Sequence, residues 1–204
     1  MKLCHSPTSP FVRKVMVLAY EVGLAGRIET VPTDAWSAGD DLAAHNPLSQ
    51  VPTLVLDDGA SLYDSPVICE YLDSLHAGVP RLPRGGDDRW RVLRVQALAD
   101  GVMESAVAVF VERVRRPEDR RWAENAARLQ AAIGRALDSL DARIADLASE
   151  PPHLGAIAVA SALGYLDLRG AVGDWRPGRP ALAAWFEAIA GRPSMRATVP
   201  QSGG

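Results

Sequence analysis

Two Ser-Pro dipeptides and one Val-Pro dipeptide are the parts of this sequence that could carry chemistry. The first, Ser9-Pro10, follows a short apolar segment and precedes a helical pattern. Serine is a favoured N-cap and proline a favoured first helical residue, so Ser9 is predicted to cap a helix at the positive end of its dipole. A thiol held beside this hydroxyl would ionise more easily. The simpler alternative is a Ser-Pro pair that only starts a helix.

The second dipeptide, Val51-Pro52, precedes a predicted strand that opens at Thr53. Proline cannot donate a hydrogen bond to a sheet, so it belongs at the first position of a strand. A cis bond between Val51 and Pro52 would turn the preceding backbone outward. The Val51 amide and carbonyl would then be available to an extended peptide ligand. A trans proline at a strand entry is the alternative.

The third motif is Tyr63-Asp64-Ser65-Pro66, which precedes another helical pattern. Ser65 is predicted to be the N-cap, with Asp64 just outside the helix. A helix N-terminus with a hydroxyl and open amides binds anions, and a neighbouring carboxylate can hold an ammonium group. Together these groups fit the head group of an α-amino acid. An ordinary capped helix is the alternative.

The elements that position these motifs differ between the two halves of the chain. Up to about Leu75, the pattern is strand, helix, strand, a hairpin at 57–59 and a helix, which predicts a small mixed sheet covered by helices. After a linker rich in Pro and Gly, strand signals disappear and helical spacing dominates, including one long helix over 129–147. We therefore expect an α/β domain over 1–78, a linker at 79–86, an all-helical domain over 87–200 and a mobile tail at 201–204.

Composition excludes several classes of protein. The balance of 22 basic against 25 acidic residues does not favour a nucleic-acid partner. Two cysteines without a CxxC motif suit a reducing compartment, and the N-terminus lacks a secretion signal. The most apolar stretch, 154–166, is shorter than the roughly 20 residues that span a bilayer. The four histidines lack metal-ligand spacing, so we expect no metal. From these observations together we expect a cytoplasmic protein with no nucleic-acid partner and no membrane association.

Taken in order, the three motifs resemble the glutathione transferase family. Members of that family join a thioredoxin-like N-terminal domain to an all-helical C-terminal domain. The segments 46–54 and 64–72 look like the two glutathione-site segments of the family, and 157–167 looks like its buried core helix. The resemblance covers nearly the whole chain, and it implies the same two-domain fold.

The resemblance also implies a role for each motif in glutathione binding. The backbone of Val51 would pair with the cysteinyl part of glutathione beside a cis Pro52. Ser65 would bind the γ-glutamyl carboxylate, with Asp64 close to the amino group. Gln50 would lie near the glycyl end. Glutathione is thus the implied co-substrate.

Ser9 stands where family members place the residue that faces the glutathione sulfur. A serine hydroxyl can donate a hydrogen bond to the thiolate and lower the thiol pKa from about 8.5. Thr8 is a second hydroxyl, ranked lower because it precedes the expected cap. Ser9 also replaces the cysteine of Cys-Pro-Phe relatives, so no mixed disulfide can form there. Conjugation to a small hydrophobic electrophile and glutathione-dependent peroxide reduction both remain open.

The resemblance further implies a homodimer and an electrophile site between the two domains. Phe11, Met103, Val107 and Phe110 are the candidates for that site, and the last three share one helix face. Packing in a helical core is the alternative explanation for these three. Asp100 would reach the γ-glutamyl amine bound in a partner subunit.

One departure from the family pattern concerns the core helix. Family members usually begin it with a Ser/Thr-x-x-Asp capping box, whereas His153 and Ala156 stand at the matching positions. Neither is expected to supply the usual reciprocal bonds.

Two other functions remain alternatives. One is a noncatalytic interaction protein that kept the fold, and the other is a thiol-transfer or dehydroascorbate-type reductase.

Overall fold

A four-stranded sheet organises the N-terminal part of the chain in the computed structural model, which describes residues 1–37 and 41–200. The described chain divides into two compact units, 1–82 with 193–200, and 83–192. The strands and helices of the first unit are β1 (Lys2–His5), α1 (Pro10–Glu21), β2 (Glu29–Pro32), α2 (Leu42–His45), β3 (Thr53–Val55), β4 (Ser61–Leu62), α3 (Ser65–Ser74) and α8 (Pro193–Ala197). The second unit contains α4 (Gly86–Phe110), α5 (Ala123–Ala142), α6 (Leu154–Arg169) and α7 (Pro180–Ala190).

The sheet brings three chain segments to one edge. Its strand order is β2-β1-β3-β4, with β2 parallel to β1, and with β3 antiparallel to both β1 and β4. Cys4 pairs with Thr53, and Leu54 pairs with Leu62. The end of β1, the start of β3 and the end of β4 therefore lie at the same edge. The three Pro-containing motifs adjoin these three points in the chain.

Burial explains why these elements form. In α1, Val15 and Leu18 are fully buried, and the helix packs against α3. Leu3 and Leu54 have no exposed surface in the middle of the sheet. The hairpin between β3 and β4 turns at Gly59, whose φ of 88° is accessible to glycine. The predicted mixed sheet with covering helices is thus confirmed.

Helix α6 forms the core of the second unit. Twelve of its residues are buried, and it packs closely on α4. A Cβ atom on Gly155 would lie 2.9 Å from the Val92 carbonyl and 3.0 Å from the Val95 side chain. Glycine is therefore required for the two helices to approach this closely. The fold is a small mixed-sheet domain followed by a mostly helical one, as the sequence predicts.

The start of α6 corrects one expectation about capping. His153 is the N-cap, and its Nδ1 accepts a hydrogen bond from the Ala156 amide at 3.0 Å. Its Nε2 donates to the Asp146 carbonyl at 2.8 Å. A neutral imidazole has one acceptor and one donor, so His153 supplies half of what a capping box would supply. Burial lowers the pKa of His153 and favours this neutral form.

The long helix predicted over 129–147 begins and ends earlier in the structure. Helix α5 ends at Ala142, and Ile144–Leu147 forms a separate tight 3₁₀ turn. Leu140 and Leu147 are both buried, so the apolar spacing continues after the α-helix has ended. The spacing predicts which residues are buried, but it does not distinguish one helix from a helix followed by a turn.

Residues 193–200 pack on the N-terminal unit, although the sequence assigned them to the helical domain. The Arg13 guanidinium donates to the Met195 carbonyl at 3.3 Å, and the Ser194 hydroxyl donates to Glu21 at 2.5 Å. Two polar contacts to α1 therefore hold α8 in place, and a helical pattern alone cannot reveal them. The predicted tail at 201–204 lies outside the described residues. No helix within the described ranges is long and apolar enough to cross a membrane.

Candidate functional site

Ser9 caps α1, as the sequence predicts. The residue is extended, with φ −75° and ψ 124°, and its Oγ accepts a hydrogen bond from the Val12 amide at 3.3 Å. Pro10 is the first helical residue. Because the cap uses the oxygen as an acceptor, the hydroxyl hydrogen can still be donated to another group. Thr8 precedes Ser9 in the chain and does not cap α1.

A cavity of about 280 Å³ lies beside Ser9 within the N-terminal unit. His5, Ser9, Arg13 and Tyr20 are among its lining residues, together with residues that follow α8. Burial lowers the pKa of His5, so this imidazole is predominantly neutral at neutral pH. Val51 and Ser65 do not line this cavity. The three motifs therefore share the sheet edge formed by the end of β1, the start of β3 and the end of β4, and they do not share this cavity.

The Val51–Pro52 bond is cis, as the family resemblance implies. Pro52 and Thr53 are buried, whereas Val51 is half-buried. Across residues 1–37 and 41–200, no hydrogen bond is formed by the Val51 amide or carbonyl. Both groups are therefore available to an external backbone.

Asn46 holds the loop that leads to Val51, and sequence reasoning missed this role. Its buried side-chain amide donates to the Gln50 carbonyl and to the Thr53 hydroxyl, both at 3.1 Å. Its Oδ1 accepts from the Leu48 amide at 3.0 Å. The Asn-Pro pair at 46–47 signals a turn, but sequence spacing does not reveal these cross-links.

The start of α3 differs from the sequence prediction by one residue. Asp64 is the N-cap, and its carboxylate accepts from the Ser65 amide. Ser65 is therefore the first helical residue and not the cap. Asp64 is extended, with φ −84° and ψ −174°, which is typical of a capping residue. The carboxylate thus takes the role that the sequence assigned to the hydroxyl.

This shift leaves the Ser65 hydroxyl without an assigned partner inside the protein. The residue has no exposed surface, and its Oγ makes no hydrogen bond to any residue that the structure describes. Buried polar groups nearly always have a partner, and an unpartnered one costs about 1 to 3 kcal/mol. The hydroxyl lies at a helix N-terminus, where an anion is favoured. An external acceptor such as a carboxylate would satisfy it.

The other predicted site residues differ in exposure. Gln50 is exposed, whereas Asp100 and Phe11 are half-buried. Val107 and Phe110 on α4 are also half-buried, but Met103 has no exposed surface and packs in the core of its unit. The helical-core alternative therefore accounts for Met103. Among the described residues, no cluster of three or more His, Cys, Asp and Glu side chains could hold a metal ion.

Comparisons with known proteins match both parts of the chain to one family. Residues 8–75 match the N-terminal domain family of glutathione S-transferases, and residues 123–188 match the C-terminal domain family. The chain is 36% identical over 202 residues to the uncharacterised GST-like protein YibF of Escherichia coli K12, and the match covers 98% of each protein.

Solved structures extend the comparison. A glutathione transferase family member from Pseudomonas fluorescens Pf-5 with bound glutathione has a TM-score of 0.94 and 45% identity, covering 98% of each chain. A glutathione S-transferase from Methylobacillus flagellatus KT with bound glutathione has a TM-score of 0.91 and 37% identity, covering 98% of this chain and 99% of that one. Both domain families and these relatives lead to one conclusion, that this chain belongs to the glutathione S-transferase family.

Proposed function

We propose that this protein binds reduced glutathione at the sheet edge shared by its three motifs and ionises the thiol. The thiolate then attacks small hydrophobic electrophiles or reduces peroxides. The observation that carries the proposal is the buried Ser65 hydroxyl, which has no partner among the described residues and lies at the N-terminus of α3. A γ-glutamyl carboxylate supplies the missing acceptor.

Ser65 and Asp64 divide the recognition of the γ-glutamyl head group. The carboxylate of glutathione accepts the Ser65 hydroxyl hydrogen and faces the positive end of α3. The Asp64 side chain is exposed while it caps the helix, so a carboxylate can also face the ammonium group. These two residues therefore orient the amino-acid end of the tripeptide.

Val51 holds the middle of glutathione through its backbone. Its amide and carbonyl are available, and the buried Asn46 side chain fixes the loop that presents them. Pairing with the cysteinyl residue lays the tripeptide alongside the backbone of Val51, just before β3 begins. Gln50, the exposed neighbour, is proposed to contact the glycyl end.

Ser9 stabilises the thiolate without forming a covalent bond. Its oxygen accepts the Val12 amide hydrogen, and its own hydrogen is donated to the glutathione sulfur. A hydrogen bond to the charged form lowers the thiol pKa, so more nucleophile exists at neutral pH. In conjugation, sulfur forms a bond to an electrophilic carbon, and the displaced group leaves or the adjacent carbon takes a proton.

Relatives support the proposal that glutathione is the ligand. Glutathione is bound in the Pseudomonas and Methylobacillus structures, and a second Pseudomonas structure contains S-(propanoic acid)-glutathione, a thioether of glutathione. We keep Val107 and Phe110 as proposed electrophile contacts of the C-terminal unit and Phe11 as one of the N-terminal unit.

We also propose that the protein is a cytoplasmic homodimer. Val67 on α3 is 48% exposed and Trp90 on α4 is 68% exposed, and large apolar side chains of this kind suit burial by a second copy. In this dimer, Asp100 of one protomer reaches the γ-glutamyl amine bound in the other. The buried thiols of Cys4 and Cys69 suit a reducing compartment.

Titration calorimetry with reduced glutathione tests the proposal directly. We expect saturable binding below millimolar concentration, and turnover of 1-chloro-2,4-dinitrobenzene or of cumene hydroperoxide that depends on glutathione. The two substrates distinguish conjugation from peroxide reduction. No binding at millimolar glutathione overturns the proposal. Efficient reduction of mixed disulfides by the unmodified protein would instead favour the thiol-transfer alternative.

A further inference from the structure

His5 differs from the other histidines of this protein in its contacts. Three histidines are engaged by neighbouring residues: His45 with Ser61, His76 with Asp73, and His153 with Asp146. Within residues 1–37 and 41–200, no other residue forms a hydrogen bond with the His5 imidazole, which bonds to its own backbone. The three engaged rings tie together separate segments of the fold. The His5 ring has no such role.

The backbone around His5 is fixed by the sheet. His5 is the last residue of β1, where it pairs with Pro32 of β2, and its carbonyl accepts the Thr33 amide at 2.9 Å. In the turn that follows, the Ser6 carbonyl accepts the Ser9 amide at 3.1 Å. This turn brings the end of β1 next to the first turn of α1. His5 therefore lies at the sheet edge, close to Ser9.

His5 and Ser9 line the same cavity of about 280 Å³ in the N-terminal unit. The other ionisable side chains in its wall are Arg13 and Tyr20 from α1, and no carboxylate is among the described residues that line it. The Arg13 guanidinium donates to the Met195 carbonyl at 3.3 Å. Strand β2, α8 and the residues after α8 add only uncharged side chains. Of the side chains in this wall, imidazole is the type that exchanges a proton near neutral pH.

We propose that His5 is a catalytic residue, which accepts the proton of the glutathione thiol and returns it to the second substrate. This inference rests on the proposed function, because Ser9 places the glutathione sulfur at this cavity. A general base must reach the proton directly or through one water, and a cavity of about 280 Å³ holds only a few waters. The Ser9 hydroxyl stabilises the developing thiolate, and the His5 imidazole takes the proton.

Burial sets the protonation state that this role needs. It lowers the pKa of His5 below its ordinary value of 6.5, so the ring is neutral before the thiol arrives. A hydrogen bond to its own backbone opposes part of this shift. A neutral imidazole has one nitrogen that can accept a proton. The ring can therefore act as a base at neutral pH and, once protonated, as an acid.

Peroxide reduction uses His5 first as a base and then as an acid. The thiol S–H bond breaks and its proton passes to the His5 ring, while sulfur forms a bond to the terminal oxygen of the peroxide. The O–O bond breaks, and the departing alkoxide takes the proton from the imidazolium to become an alcohol. Sulfur is oxidised to a sulfenic acid and the peroxide is reduced. A second glutathione then converts the sulfenic acid to glutathione disulfide and water.

Displacement of a halide uses His5 only as a base. The thiol proton passes to the imidazole as sulfur attacks 1-chloro-2,4-dinitrobenzene, chloride leaves without a proton, and the imidazolium loses its proton to solvent. Removing the imidazole should therefore affect the two substrates unequally. At about pH 7, we expect His5→Gln to lower kcat by about 100-fold with cumene hydroperoxide and by about 10-fold with the chloroarene. Glutathione affinity, measured by calorimetry, should be nearly unchanged.

The pH profile of kcat/KM with 1-chloro-2,4-dinitrobenzene gives an independent readout. Because His5 is neutral above its ordinary pKa of 6.5, the unmodified protein should show a level profile from about pH 6.5 to about pH 8. In His5→Gln, only glutathione that has already ionised reacts, so the profile should rise across the same interval. A merely structural role for His5 would lower the profile without changing its slope. If the unmodified protein uses only the chloroarene, this profile alone decides.

His76→Gln is the matched control, since it removes an imidazole of the same unit that Asp73 already holds at 3.0 Å. It should leave the ratio of the two activities and the pH profile unchanged, even if urea unfolding shows lower stability. Equal losses on both substrates with an unchanged slope in His5→Gln, or no loss on either, overturn the role of His5. Absence of glutathione binding to the unmodified protein would instead overturn the proposed function, and calorimetry distinguishes the two failures.

Discussion

The same Ser-Pro dipeptide starts two helices in this protein, and it is used differently in each. In α1, Ser9 is the N-cap and its oxygen accepts the Val12 amide. In α3, Ser65 lies one position further into the helix, Asp64 is the cap, and the Ser65 hydroxyl is buried with no partner among the described residues. The Ser9 oxygen therefore already serves the fold as an acceptor, whereas the Ser65 hydroxyl has no such role.

The residues before each dipeptide explain the difference. Before α1, the Ser9 amide donates to the Ser6 carbonyl at 3.1 Å, which places Thr8 inside a turn. Before α3, Asp64 is extended and its carboxylate reaches the Ser65 amide. Cap position is thus set by the backbone that enters the helix. The dipeptide alone does not determine whether its serine caps the helix.

Removing the Ser65 hydroxyl should have the largest effect on binding. We expect Ser65→Ala to weaken glutathione binding by about 10- to 100-fold, because a hydrogen bond to a charged carboxylate is lost. Stability of the glutathione-free protein should stay the same or rise, since an unpartnered buried polar atom disappears. Calorimetry and urea unfolding measure the two quantities.

Ser161→Ala is the matched control for that variant. Ser161 is equally buried, but its hydroxyl donates to the Ile157 carbonyl at 2.9 Å. This change should leave glutathione binding intact. If Ser65→Ala lowers stability and leaves binding unchanged, the contrast between the two helix starts is wrong.

Replacing Ser9 should affect turnover and stability together. Ser9→Ala is expected to reduce glutathione-dependent turnover by about 10-fold, because the thiolate loses its donor and the thiol pKa rises. It should also lower the free energy of unfolding by about 1 kcal/mol through loss of the cap. Ultraviolet absorbance of bound thiolate across pH, together with urea unfolding, measures both effects.

Ser9→Asp separates the two roles of this residue. A carboxylate retains the capping acceptor but offers no hydrogen at neutral pH. Stability should therefore be restored while turnover stays low. Recovery of full turnover in Ser9→Asp would show that the hydroxyl is needed only for the cap.

Asp64 offers a smaller test on the other helix. Asp64→Asn keeps a capping oxygen, so stability should be nearly unchanged, whereas Asp64→Ala should cost about 1 kcal/mol. Both variants remove the carboxylate proposed to face the ammonium group, so both should weaken glutathione binding several-fold. Identical binding in Asp64→Asn and the unmodified protein would remove Asp64 from the site.

Sequence patterns predict the elements and their order well, because burial imposes the spacing that they detect. Leu3, Val15 and Leu54 are buried where the alternation and helical spacing place them. The same patterns miss contacts that depend on one side chain reaching a distant backbone group. Asn46 bonded to the Gln50 carbonyl and His153 bonded to the Asp146 carbonyl are two examples.

The site was predictable to a similar degree and for the same reason. The Ser9 cap is a local feature that follows from residue type and position. The cis Pro52 follows from the family resemblance, because residue type and position alone also allow a trans bond. The sequence pattern predicts the cap of α3 one residue too late, because Asp64 and Ser65 are both favourable caps and only the entering backbone decides between them.

The start of α6 is a third helix start, and its cap is the imidazole of His153. Burial lowers the pKa of His153 below its ordinary value of 6.5. Above that value both folded and unfolded chains hold a neutral imidazole, so the contribution of the cap is fully present. As the pH falls below 6.5, the unfolded chain takes up the proton first, so the free energy of unfolding declines. Protonation also places a hydrogen on Nδ1, which faces the Ala156 amide.

His153→Asn isolates this effect, since asparagine is a favourable cap that does not titrate. Urea unfolding of both proteins at about pH 7.5 and pH 5.5 should show a steeper loss in the unmodified chain. His5, whose pKa is also lowered by burial, adds the same trend to both proteins and cancels in the difference. An equal slope in both would mean that His153 is not the titrating cap. A steeper loss in His153→Asn would reverse the sign required by a lowered pKa.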